Sequence, residues 1–150
     1  MSKQVDLTMD LKITYDGDPW HGPSIINVLN NMTDKDLAKM VSEEHTIRQV
    51  LLHMLTWRMI VAARLRQQGD PPELIDQEMN FPVDKASLQD IANRFEQTQS
   101  TLINVLSTIP EEILDHRIAG KQHTFRQTIS GLTHHDLYHL GQIVISLNRN

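Results

Sequence analysis

The chain has 150 residues, enough to bury the core of one domain and too few for two ordinary ones, so residues 1–150 are read as a single domain. Fourteen Lys and Arg against nineteen Asp and Glu give a formal charge of −5; the basic footprint that neutralises phosphates is missing, and no nucleic-acid partner is expected. The absence of cysteine excludes disulfides, thiolate metal ligands and a cysteine nucleophile, whereas eight histidines are a conspicuous excess.

In chain order, Val5, Leu7, Met9, Leu11 and Ile13 come first and alternate with polar residues. Residues 1–16 therefore read as an extended arm or edge strand, with a frayed helix as the other reading. In "HGPSIINVLNNM", Pro23 stands where a first-turn proline is tolerated and apolar Ile25, Ile26, Val28 and Leu29 follow, which predicts a helix from Pro23 to Met32. Thr33 and Asp36 form a cap-like pair before a short turn. From Thr46 to Gln68 the apolar residues Ile47, Val50, Met54, Trp57, Val61 and Leu65 recur at three-and-four spacing, the strongest helix signal in the chain.

The segment "DPPELIDQEMNFPVDKA" has three prolines and no sustained period. Ser87 and Asp90 then resemble a capping pair for a third helix, to Thr108, with Ile91, Phe95, Thr98, Leu102, Val105 and Leu106 as its buried stripe. A connection of roughly 18 residues extends to about 60 Å at most, enough to travel the length of a bundle and let the second and third helices run parallel. Pro110 and "RIAGKQH" break the pattern again, and Thr124 with Gln127 gives a capping box for a last helix to Asn148. The fold class is all-α, a four-helix bundle with a long crossover between helices 2 and 3. No stretch approaches the roughly twenty apolar residues that span a bilayer, so no membrane partner is expected and the simplest location is cytoplasmic.

The last helix carries three histidines within six residues, His134, His135 and His139. Helical residues step about 100° apart, which places His139 roughly 50° from the mean direction of Phe125, Ile129, Leu132, Ile143 and Leu147. His135, one turn earlier, lies beside it, and His134 points nearly the opposite way. On the second helix His53 flanks the apolar stripe on the side of Trp57 and Ile60, whereas His45 falls on roughly the opposite side. Three imidazoles from two helices leave coordination positions open, as a catalytic metal site does, and they suit Zn, Ni, Fe or Cu. "HDLYH" resembles the zincin motif with Asp136 at the place of the glutamate base, but Asp136 faces the core on the wheel, which speaks against a peptidase.

Taken in order, "GDPWHGPS" (17–24), "HTIRQVLLHMLTW" (45–57) and "HDLYHLGQI" (135–143) resemble the DinB/YfiT-like superfamily over nearly the whole chain. The resemblance implies a four-helix bundle with a long crossover, often a homodimer, holding a divalent transition metal such as Zn, Ni or Fe through His53, His135 and His139. It further implies transfer of a low-molecular-weight thiol such as bacillithiol to a small electrophile. Damage-inducible expression, behind the family's name, implies a stress role without DNA contact. Beside it, Trp20, His21 and Trp57 are candidates for the pocket wall, and Tyr138 and Gln142 for hydrogen bonds to substrate or to a ligand's second nitrogen. No catalytic residue is assigned. A metallohydrolase that activates water and a non-catalytic metal-binding stress protein are the alternative readings.

Overall fold

A computed structural model describes residues 2–66 and 77–149. The described elements are helical: α1 (Lys3–Asp16), α2 (Ile25–Asn30), α3 (Ile47–Leu65), α4 (Gln77–Asn80), α5 (Leu88–Thr108) and α6 (Phe125–Leu147), with 3₁₀ turns at Asp34–Ala38 and Glu111–Ile113. The long helices α1, α3, α5 and α6 make the bundle. None of the described helices is long and apolar enough to cross a membrane.

Capping boxes set the starts of α3, α5 and α6, those of α5 and α6 as read from the sequence and that of α3 in addition. In α3, Thr46 Oγ1 accepts from the Gln49 amide and Gln49 Oε1 accepts from the Thr46 amide, 2.9 Å away. Ser87 with Asp90 and Thr124 with Gln127 close the same reciprocal box on α5 and α6, satisfying amides that have no partner within the helix. The stripe read for α5 is buried throughout. α3 ends at Leu65; Gln67 and Gln68, assigned to it by periodicity, lie outside the described residues, as does part of the crossover. The break at "RIAGKQH" is real, and Gly120 turns there at φ 73°.

The N-terminal segment is a correction: residues 3–16 are a helix, not an extended arm. Leu7, Leu11, Thr14 and Tyr15 share one helix face, with Leu11, Thr14 and Tyr15 buried, while Val5, Met9 and Ile13 lie at four-residue intervals on the exposed side. Ser2 caps the start by accepting from the Val5 amide. This helix, rather than the segment at Pro23–Met32, is the first of the bundle. The latter shortens to the six residues of α2, capped by Ser24, so that Pro23 precedes the cap instead of sitting in the first turn.

Lateral contacts fix the helix directions. Arg48 reaches Ala86, Arg58 reaches Thr98, and Ala62 shares a groove with Thr101, so α3 and α5 run parallel, as the long crossover allows. Gln4 binds the carbonyls near the end of α5, whereas Asp16 faces Gln99, which makes α1 antiparallel to α5. α6 runs antiparallel to α3, with His139 near His53 and Thr128 near Arg64.

Two apolar clusters fill the bundle, one around Ile47, Leu51, Ile91, Phe95 and Ile143, the other around Leu11, Leu65, Leu102, Leu106 and Phe125. Between them lies a buried polar layer. Arg58 pairs with Asp136 and gives further hydrogen bonds to Thr98 and Gln99, and its guanidinium lies 5.8 Å from the Tyr15 ring and 5.7 Å from the Phe95 ring.

Candidate metal centre

His53 projects from the flank of α3 toward α6, where His135 and His139 stand one turn apart. One ligand nitrogen from each of the three lies within 4.8 Å of the others. The Nε2 atoms of His53 and His135 are 3.0 Å apart, and the ring centroids of the three imidazoles are separated by 4.5 to 4.9 Å. His134 points to solvent.

Neighbouring groups choose the tautomers. The Nδ1–H of His53 donates to the Asn80 carbonyl at 2.8 Å, and that of His139 donates to Gln142 Oε1 at 2.7 Å. Nε2 of each ring thereby carries a lone pair rather than the proton, that of His53 facing His135 Nε2 at 3.0 Å, and a partner on the far nitrogen is what orients a ligating imidazole. His135 Nδ1 is buried without a partner. Burial lowers the pKa of His53 and His139, and lowers that of His135 to about 4, where the nearby His139 and His53 add to the effect. All three are therefore neutral at pH 7 and ready to donate lone pairs.

This donor set fits a divalent ion. Zn–N bonds of about 2.0–2.1 Å in tetrahedral geometry put ligand nitrogens about 3.3 Å apart, close to the spacing of His53 and His135. Three neutral imidazoles without thiolate or carboxylate suit Zn, Ni, Fe or Cu and do not choose among them.

The crossover closes over one side of the cluster. Phe81 stacks on His53 at 4.2 Å with its ring nearly parallel, and its other face stacks on His45 at 3.8 Å. His45 is thus tied to the site through Phe81, although the wheel set it apart. Asn80 serves the site twice, since its side-chain oxygen also accepts from the Trp57 indole N–H at 3.0 Å. Neither Asn80 nor Phe81 carries a signal in the sequence, because the connection that holds them has no period.

Beside the histidines, a cleft of about 530 Å³ runs between α3 and α6, lined by His53, Trp57, Arg64, Gln127, Thr128 and His135 among others. Trp57 lines it. Trp20 and His21 do not: both are exposed in the loop before α2, and Trp20 is 97% accessible. Tyr138 is largely exposed with its ring edge-on to His139 at 5.1 Å, and Gln142 accepts from the Nδ1–H of His139. Asp136, the counterpart of a zincin base, is fully buried and turned to Arg58, so it does not face the histidine cluster.

Residues 23–143 match the sequence profile of the DinB superfamily. The chain belongs to the DinB superfamily. No curated protein and no solved structure matches it. The DinB match spans α2 to α6 up to Ile143 and so contains His53, His135 and His139, but it begins beyond α1.

Proposed function

We propose that this chain is a metal-dependent enzyme that transfers a low-molecular-weight thiol, such as bacillithiol, to a small electrophile in the cytoplasm, acting as a homodimer. The observation that carries the reading is the opening of a 530 Å³ cleft directly onto His53 and His135. A metal with all its neighbours in the protein would serve structure alone, whereas this one would border a space large enough for a small molecule. The chain has no cysteine, so a nucleophilic sulfur has to be brought in.

His53, His135 and His139 would hold the ion, which as a Lewis acid lowers the pKa of a thiol or water and makes a nucleophile available near neutral pH. The chain's own residues supply the rest. Asn80 and Gln142 keep the Nδ1 protons of His53 and His139 in place and so orient both rings. Trp57, Val61 and Leu132 give the cleft an apolar wall against which a substrate displaces water.

A conjugation assay tests the reading, with bacillithiol, mycothiol and glutathione offered against a panel of electrophiles, with and without added Zn or Ni. Metal-dependent loss of the thiol together with product is expected. Metal-dependent release of product from esters or amides without any thiol would point to a hydrolase instead. No turnover of either kind would leave a binding protein.

A further inference from the structure

We infer that the cleft beside the three histidines binds a carboxylate, with Arg64 as its anchor, so that the substrate or co-substrate is a small acid. The inference rests on that cleft being the substrate site. Among the described residues lining it there is no Asp or Glu, although the chain as a whole is acidic. Among those described residues, the one permanently charged side chain in the lining is Arg64.

Arg64 is held ready rather than used. Its guanidinium carbon lies 5.6 Å from the centre of the Trp57 ring, and its Nε is buried with no hydrogen-bond partner. Among the described residues it makes no ion pair. By contrast Arg58, Arg94 and Arg126 each meet a carboxylate. A buried guanidinium nitrogen without an acceptor is costly, and a carboxylate matches the fork in a bidentate pair. The cation–π contact with Trp57 holds the guanidinium over the ring and limits the freedom lost on binding.

The far end of the cleft carries no negative charge among the described residues, although the first-turn amides of α6 are already paired within the protein. It is lined by His123, Gln127 and Thr128, at the start of the 23-residue helix α6, where the helix dipole presents its positive end. Arg64 follows His53 by eleven residues, about 16 Å along the axis, and its side chain leans back over Trp57. That leaves about 10 Å between guanidinium and imidazoles, so the acid group would be gripped at one end while the reactive atom of a small molecule lies at the histidine end.

The test uses a probe with neither thiol nor electrophile. The full-length Zn-treated protein is titrated with 3-phenylpropionate and with its amide, following the indole N–H of Trp57 by NMR in a Trp20→Phe background. The acid should bind at least about tenfold more tightly than the amide, the loss expected when one charged pair is removed. Arg64→Gln should erase that difference and Arg64→Lys should keep part of it, with both variants holding as much metal as the parent. Equal binding of acid and amide overturns the inference. So does full acid binding by Arg64→Gln that disappears on chelation, which would put the carboxylate on the ion. Turnover with a thiol in a protein that fails this test removes the carboxylate anchor alone. Selective acid binding without turnover removes thiol transfer alone.

Discussion

Asp136 turns away from the two histidines it stands between in sequence and meets Arg58 in the middle of the bundle, where neither side chain touches solvent. Burial pushes the Asp136 carboxyl up to about 6, with Arg58 opposing. Breaking such a pair from one side leaves a buried charge alone, which costs about 3–5 kcal/mol, whereas replacing both partners with apolar residues is close to neutral. Asp136→Leu is therefore expected to destabilise the protein by that amount in urea unfolding. Arg58→Met combined with Asp136→Leu should regain most of it. Additive losses would show that the two residues act independently.

Gln142 orients His139 through a single hydrogen bond. Removing a partner of this kind lowers metal affinity about 10- to 100-fold without removing a ligand. Gln142→Ala should accordingly keep its metal at saturating concentrations and lose it earlier to a competing chelator. Unchanged retention would mean that packing alone orients the ring.

Acid should weaken the metal-free fold over a characteristic window. An imidazole whose folded pKa lies below its ordinary value of about 6.5 is neutral when folded at a pH where the unfolded form has begun to protonate. What the three histidines contribute to stability is complete above about pH 6.5 and is lost as the pH falls toward about 4, the value of His135. Asp136, raised rather than lowered, works in the opposite direction between its ordinary value and about 6. The two partly cancel in a melting curve, so the better readout is the imidazole C–H signals of the metal-free protein followed by NMR. The His135 signal should move near pH 4; movement near 6.5 would contradict its burial.

Leu11 and Met9 separate a bundle helix from an arm. Leu11 is 1% accessible and Met9 is 44% accessible. Leu11→Ala should cost about 2–5 kcal/mol, and Met9→Ala about 0.5 kcal/mol or less. Equal, small effects at both positions would return residues 3–16 to the status of a loose arm.

The reason that segment misled is specific. Leu7 and Leu11 satisfy a period of two as well as a period of four, and exposed Val5, Met9 and Ile13 filled the gaps to imitate a strand. The helices α3, α5 and α6 had no such ambiguity, because each carries a capping box and a long stripe. The wheel also brought His53, His135 and His139 to one place, since that prediction needs only the angular step of two helices. It set His45 apart and gave no hint of Asn80, Phe81 or Arg64. Those contacts depend on how the crossover folds back and on which side chains α3 and α6 leave facing the cleft, which no local periodicity encodes.

Metal content of the untagged protein by plasma mass spectrometry tests the three-histidine centre most directly, comparing the parent with His53→Ala and His139→Ala after incubation with Zn or Ni near pH 7.5. About one equivalent of a transition metal is expected in the parent, as a single three-nitrogen site holds one ion, with loss in both variants. A parent that stays empty, or variants that keep a full equivalent, would contradict the account.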